Sequence, residues 1–344
     1  MGQFPSEFNC TKYREGVIKG FLAASIVTVL CVTAGVAAAE TEQAGKARSA
    51  YMLCWENDAF GNTDANYTNG ASLAVARDTK GLLGGVWDLA GKSEGRRFSV
   101  YELTQLQFTP TNLDLKNPDP NDRPYAGFLY AGLSSFLQKK ESLHGFKLLV
   151  GIIGPDSFSE TLQKFTHHVI GSDLPQGWYY QLKNEPIINL AYEYRRRIPL
   201  SSSASKFEVD LVPMGSAMAG NYLVQAEAGM HLRLGYRLAG DFGTSTLRGI
   251  GYLPFPEDDS MWRLYVFGGG HLDIVARDIT LDGNTFARSR SVDKRIFKQT
   301  GEVGMAVSGG PIRISFVYVM MGKEFYGQQH DEDYGSLLFS WVTR

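Results

Sequence analysis

Cysteine is almost missing from this chain, with three in 344 residues. Cys10 and Cys31 lie in the first forty residues, which leaves Cys54 alone. A lone thiol closes no internal disulfide and builds no cysteine metal cluster, so a stapled fold is excluded. Cys54 sits in a strand-like run and reads as a small buried hydrophobe. Charge of one sign is also missing: 34 basic against 36 acidic residues give a net charge of −2. No global field therefore favours nucleic acid as a partner. After the first forty residues no apolar run approaches the about 18 residues of a membrane helix. Neither G-x-S-x-G nor H-E-x-x-H occurs, which removes the nucleophile-elbow and zinc-helix routes to hydrolysis.

What the first forty residues do contain is an export pattern. Lys12, Arg14 and Lys19 precede an uncharged stretch from Gly20 to Ala39, which ends Ala37-Ala38-Ala39 before Glu40. That order predicts a signal peptide over 1–39 and one mature domain over 40–344. An uncleaved membrane anchor is the alternative. Thr28-Val29-Leu30-Cys31 lacks the small residue that a lipoprotein signal places before its cysteine, so no lipid anchor is expected.

The mature chain alternates. Met230, Leu232, Leu234, Tyr236 and Leu238 share one face, with His231, Arg233 and Arg237 on the other. Ile188, Leu190, Tyr192 and Tyr194 oppose Asn189, Glu193 and Arg195; Phe207, Val209 and Leu211 oppose Glu208 and Asp210; Ile312, Ile314, Phe316 and Tyr318 alternate with Arg313 and Ser315. Such a pattern suits a soluble sandwich with its apolar face inward or a membrane barrel with that face toward lipid. Export, aromatics near strand ends, and acids and bases recurring on the polar faces favour the barrel. Strands are expected from near Ala50, Tyr67, Arg97, Pro124, Phe146, Pro186, Lys206, Leu223, Trp262, Lys294, Pro311 and Tyr334. That makes about twelve, with longer loops at 240–260 and 282–293. The expected fold is thus all-β, a transmembrane antiparallel barrel with one short helix in a long loop.

The helix follows Pro155-Asp156, where Phe158, Leu162, Phe165, Val169 and Ile170 recur at helical spacing until Gly171. Phe158, Leu162 and Phe165 are expected to anchor it against the barrel wall. Gln163 and His167 stand four apart on one face, and imidazole is the side chain best suited to accept a proton from water near neutral pH. An ordinary structural histidine is the alternative, and His168 adds to the ambiguity. Asp173 could orient the ring or bind metal. Two loop clusters accompany the helix. Asn57, Asp58 and Thr68 offer the oxygen ligands that hard cations take, although Asn, Asp and Gly also fill ordinary turns. Lys116 and Asp122-Arg123-Pro124-Tyr125-Ala126-Gly127 form a cationic entry to a strand, able to meet a phosphate or carboxylate or simply to be solvated.

Taken in order, E-N-D-x-F-x-x-T-D-x-x-Y-T-N-G (Glu56 to Gly70), D-R-P-Y-A-G-F-L-Y (Asp122 to Tyr130), G-I-I-G-P (Gly151 to Pro155), Q-x-x-x-H (Gln163 to His167) and G-W-Y-Y-Q-L-K-N-E-P (Gly177 to Pro186) resemble the lipid A deacylase LpxR family. The resemblance implies a twelve-stranded barrel in the Gram-negative outer membrane, acting as a monomer. It implies Ca2+-dependent hydrolysis of the ester holding the 3′-acyloxyacyl chain of lipopolysaccharide. Carried over, His167 is the general base, Asn57 and Asp58 hold the cation, Thr68 is an active-site hydroxyl, Asp173 an acidic partner and Lys116 a basic one. Ala65, Phe128, Lys164 and Arg344 depart from the family's usual residues. A catalytically silent barrel and an esterase or phospholipase acting on another outer-leaflet lipid remain the alternatives.

Overall fold

The computed structural model describes residues 48–61, 65–92, 94–201, 206–238, 242–244, 246–251 and 261–343. The expected export segment, 1–39, lies outside them, as does most of the expected 240–260 loop. Thirteen strands form one antiparallel sheet: β1 (Ser49–Asn57), β2 (Asn66–Arg77), β3 (Arg96–Thr109), β4 (Ala126–Gln138), β5 (Ser142–Ile153), β6 (Glu185–Arg196), β7 (Ile198–Pro199), β8 (Phe207–Gly220), β9 (Leu223–Tyr236), β10 (Arg263–Asp278), β11 (Phe297–Gly309), β12 (Ile312–Met321) and β13 (Glu332–Thr343). Setting aside the two-residue β7, twelve long strands follow one another as neighbours. The sheet closes into one ring: each long strand pairs with the next, β6 with β8 included, and β1 pairs with β13. Closure leaves no open edge, as a membrane-spanning sheet requires.

The alternation decides which face is outside. On β9, Met230 (52 % exposed), Leu232 (51 %) and Leu234 (54 %) face out, while His231 (1 %) and Arg233 (0 %) face in. β6 repeats this, with Ile188 and Leu190 outside and Asn189, Glu193 and Arg195 inside. An apolar exterior around a charged interior is the reverse of a soluble core and the arrangement of a barrel in lipid. The β9 pattern stops at Tyr236. Arg237 takes a left-handed φ of 59°, and Leu238, expected on the outer face, is buried.

Interior charges are neutralised in pairs. Arg233 binds Asp210 at 2.7 and 2.8 Å, Lys147 binds Glu102 at 2.6 Å, and Arg195 binds Glu193 at 3.0 Å. Burying such groups singly would cost several kcal/mol each, by general magnitude about that much per ion. The lumen is also filled by residues from the β9–β10 connection. Leu247 N–H donates to Glu56 Oε1 at 2.8 Å, Arg195 reaches the carbonyls of Phe242 and Thr244, and Arg248 binds Glu324 at 2.7 Å. Cys54, as expected, is buried; its sulfur lies 3.6 Å from Ser336 Oγ.

Strand directions assign the two rims. Exposed Tyr51, Phe207, Trp262 and Trp341 stand at the rim where β1, β8 and β10 start and β13 ends. Amphipathic aromatics favour a membrane interface. Asn57, Thr68, Thr109 and the β5–β6 connection stand at the opposite rim. Among the described residues no helix is long and apolar enough to cross a membrane. The helices are short: α1 (Gly85–Leu89), α2 (Ser159–Ile170) and α3 (Ile279–Asp282).

Candidate active site

α2 lies over the rim of β3 and β4, within the long loop from β5 to β6. A 3-10 turn, Pro155–Ser157, leads into it, and Gly171 ends it with a left-handed φ of 76°. Glycine adopts that conformation without the steric penalty of a Cβ. The buried face is Ser159, Gln163 and His167, one residue per turn. Phe158 (63 % exposed) and Phe165 (46 %) point away from the barrel. This corrects the expectation that Phe158 and Phe165 anchor the helix on the wall; Leu162, the third residue expected there, is half-buried. The helix lies against the outer face of the wall, where Gln105, Gln107 and Gly127 alternate with the lumenal Glu102, Phe108 and Phe128. Its polar stripe therefore meets polar side chains of the wall, and the aromatic stripe is left for the surroundings.

The attachment is made by hydrogen bonds and one close approach. Gln105 Nε2 donates to the Ser157 carbonyl at 2.7 Å, and Gln107 Nε2 to that of Ser159 at 3.3 Å. Trp178 Nε1 donates to Gln163 Oε1 at 2.7 Å. Gly127 on β4 lets the turn settle: any Cβ there would overlap Ser157 and Ser159.

His167 is 6 % exposed, and its Nδ1 lies 2.6 Å from the Asp173 carbonyl oxygen. A carbonyl only accepts, so Nδ1 carries the proton and Nε2 of the neutral ring carries the lone pair. Asp173 therefore orients the imidazole through its main chain. Its carboxylate is on an exposed residue rather than in the expected acidic contact. Gln163, one turn earlier on the same face, offers an Nε2 donor that is buried and makes no hydrogen bond. The Q-x-x-x-H spacing marks this second group, but residue type alone singles out only the histidine's acid–base chemistry.

Asn57 and Thr68 do come together, with Asp58 next in sequence to Asn57. Asn57 ends β1, and its Nδ2 donates to the Thr68 carbonyl at 2.9 Å. Its Oδ1 accepts from Ala59 N at 3.0 Å. Asp58, 2 % exposed, accepts from Ala65 N at 2.6 Å. Thr68 sits where the β2–β3 register slips, a bulge of the kind that re-aims a side chain at a strand end. Its Oγ1 lies 2.6 Å from Thr109 Oγ1. Gln107, two residues before Thr109 on the outward face of β3, opposite to the lumenal Glu102 and Phe108, continues this polar track to Ser159 on α2. Thr63 and Asp64 of the same motif lie outside the described residues.

The cationic loop divides. Lys116 is exposed on the 110–125 connection, which meets the segment after α2 where Gln176 N–H donates to the Leu113 carbonyl at 2.8 Å. Arg123 is fully buried instead. It donates to Glu324 at 3.1 Å and Thr280 Oγ1 at 3.2 Å and lies over the Phe108 ring. Expected to meet a ligand or water, it neutralises a carboxylate of its own chain. Glu324 lies in the β12–β13 connection. Burial would raise its carboxyl, but Arg248, Lys298 and Arg123 outweigh that and hold it well below the usual range.

For a metal ion, Asn57, Asp58 and Thr68 supply only hard oxygen donors: an amide, a carboxylate, a hydroxyl and a main-chain carbonyl. That chemistry fits Ca2+. Among the described residues a separate histidine–carboxylate group, Glu227, His271 and Asp273, lies in the lumen and is of a kind that can hold a metal ion.

Residues 22–343 match the family described as outer membrane protein LpxR. Among solved structures, LpxR from Salmonella typhimurium is similar at 18 % identity, covering 85 % of this chain and 99 % of that one, with a TM-score of 0.72. The beta domain of the Bordetella autotransporter BrkA is similar at 9 % identity, covering 87 % and 99 %, with a TM-score of 0.40. No curated protein sequence matches the chain.

Proposed function

The chain belongs to the LpxR family, outer-membrane barrels that deacylate lipid A and are thus ester hydrolases, and we propose that its rim site cleaves the 3′-acyloxyacyl ester with His167 as general base. The observation that carries this reading is the Nδ1–H to Asp173 carbonyl bond, which leaves Nε2 to accept a proton. His167 takes that proton from water as the water attacks the ester carbonyl. Gln163 Nε2 donates to the oxygen on which charge develops, where a fixed donor stabilises most. Asn57 and Asp58, with the Thr68 hydroxyl beside them, would hold Ca2+, which when bound would supply a Lewis acid for that carbonyl. Lys116, exposed on the neighbouring loop, meets the anionic part of the lipid A headgroup. Phe158 and Phe165 face the outer leaflet, so the acylated glucosamine is presented at the boundary between lipid and the outer wall of the barrel.

The remaining features follow the same reading. Residues 1–39 direct export and are removed, and 40–344 form the single outer-membrane domain. Closure of the ring leaves no strand edge to recruit a second copy by edge pairing, and the chain is read as a monomer. Mass spectrometry of lipid A from a Gram-negative host tests the function. Expression of the wild type should remove two ester-linked chains as one unit, and chelator should abolish the loss in membranes. Lipid A left intact with Ca2+ present would refute the assignment, and loss of a different chain would point to another position.

A further inference from the structure

We propose that the barrel lumen contains a transition-metal site of the Zn2+ class, formed by Glu227, His271 and Asp273 and separate from the oxygen-only cluster at the rim. The register explains the grouping. His271 and Asp273 are successive inward residues of β10, and Glu227 on β9 pairs directly with Asp273. One ligand atom from each lies within 4.8 Å of the others. His271 Nδ1 is 3.4 Å from Glu227 Oε1 and 3.8 Å from Asp273 Oδ1. Two ligands at about 2.0–2.1 Å from a tetrahedral zinc stand about 3.3 Å apart, so small side-chain movements close the shell.

Two independent features point to an ion rather than to simple pairing. Asp273 is 2 % exposed, yet its Oδ1 makes no hydrogen bond, and neither does either nitrogen of His271. Orphaned buried acceptors of this kind are rare and costly. The surrounding charges are also spoken for. Glu193 is held by Arg195, Glu302 by His231 at 2.7 Å, and Arg248 by Glu324. Lys298 approaches the other oxygen of Asp273 at 3.6 Å and is shared with Glu324 at 3.3 Å. Two carboxylates and an imidazole are left facing a cavity of about 50 Å³, which takes one ion and a water. Gly269 keeps the neighbouring wall clear, since a Cβ there would lie 2.8 Å from the His231 ring. The mixed nitrogen and oxygen donors favour Zn2+ or a related ion over Ca2+, which takes six to eight oxygens.

The test uses the full-length barrel refolded in detergent and stripped with chelator. ZnCl2 alone is added, unbound metal is removed by gel filtration, and bound zinc is measured by mass spectrometry of the metal. The wild type should retain one Zn2+ per chain in the presence of excess Ca2+. Asp273→Asn and His271→Ala should each weaken binding at least about 100-fold, since even loss of a supporting residue costs about 10–100-fold. Asp58→Asn at the rim should leave zinc binding unchanged, which separates this outcome from failure of the deacylase assignment. Folding of each variant is checked by heat-shifted gel mobility. Cobalt added to the wild type should give the visible spectrum of a nitrogen- and oxygen-ligated ion, a readout that depends on no variant. Folded wild type without bound zinc or a cobalt spectrum would overturn the proposal, as would folded variants that bind zinc like the wild type.

Discussion

Replacing Arg123 with methionine tests how the interior charges hold the barrel together. The side chain is fully buried, its guanidinium is 3.1 Å from Glu324 and 3.9 Å from Glu332, and Thr280 takes a third contact. Breaking a buried pair by removing one partner generally costs about 3–5 kcal/mol. Glu324 keeps Arg248 at 2.7 Å and Lys298 at 3.3 Å, so the lower end, about 3 kcal/mol, is expected. That is about two powers of ten in the ratio of folded to unfolded protein. Urea unfolding in phospholipid vesicles, followed by tryptophan fluorescence, measures it. The double variant Arg123→Met/Glu324→Gln should recover part of the loss, because the stranded carboxylate is gone. The pH dependence has a fixed sign. The folded Glu324 carboxyl is held below its ordinary 4.5, so its stabilisation is complete above about pH 4.5 and is lost as pH falls through the lower folded value. An Arg123→Met midpoint equal to wild type, or a double variant no more stable than the single, would refute the reasoning.

Other outcomes follow from the same geometry. Gly127→Val should displace the turn before α2 and abolish deacylation while far-UV dichroism keeps its barrel signature, because the new side chain would occupy the space of Ser157 and Ser159. Phe165→Glu, on the outward face of α2, should leave the unfolding midpoint within about 0.5 kcal/mol of wild type and lower turnover of membrane-embedded lipid A. Equal turnover by Phe165→Glu would show that this face meets no substrate. Asp58→Asn should raise the Ca2+ concentration needed for half-maximal activity, read by titration of chelated enzyme; an unchanged requirement would move the cation elsewhere.

Much of the barrel was legible because alternation has a period of two and fixes a face whichever side is lipid. Strand starts expected near Leu223 and Trp262 fall at Leu223 and Arg263. β5 begins four residues before the expected Phe146, since His144 and Gly145 interrupt the apolar pattern while the hairpin still pairs. The buried face of α2 was not legible because the patch of outer wall beneath it is polar, Gln105, Gln107 and Gly127 standing where a lipid-facing strand would carry apolar side chains. The burial of Arg123 was hidden because its partner Glu324 is 201 residues away. The lumenal residues from the β9–β10 connection give no periodic signal. Asn57, Asp58 and Thr68 were accessible through their motif, and the structure adds the hydrogen bond that joins Asn57 to Thr68 and the one that ties Asp58 to Ala65. The role of Asp173 could not be read from its residue type, because the bond to His167 uses a main-chain oxygen that any residue supplies.

The central claim is that His167 is a base whose tautomer is selected by the Asp173 carbonyl. Measuring kcat/KM on purified lipid A for His167→Ala and Asp173→Ala side by side tests it most directly. The account predicts a loss of about 10²- to 10⁴-fold for His167→Ala, the usual worth of general-base help, and near wild-type turnover for Asp173→Ala, which keeps the carbonyl. An active His167→Ala enzyme, or an Asp173→Ala enzyme as impaired as His167→Ala, would contradict it.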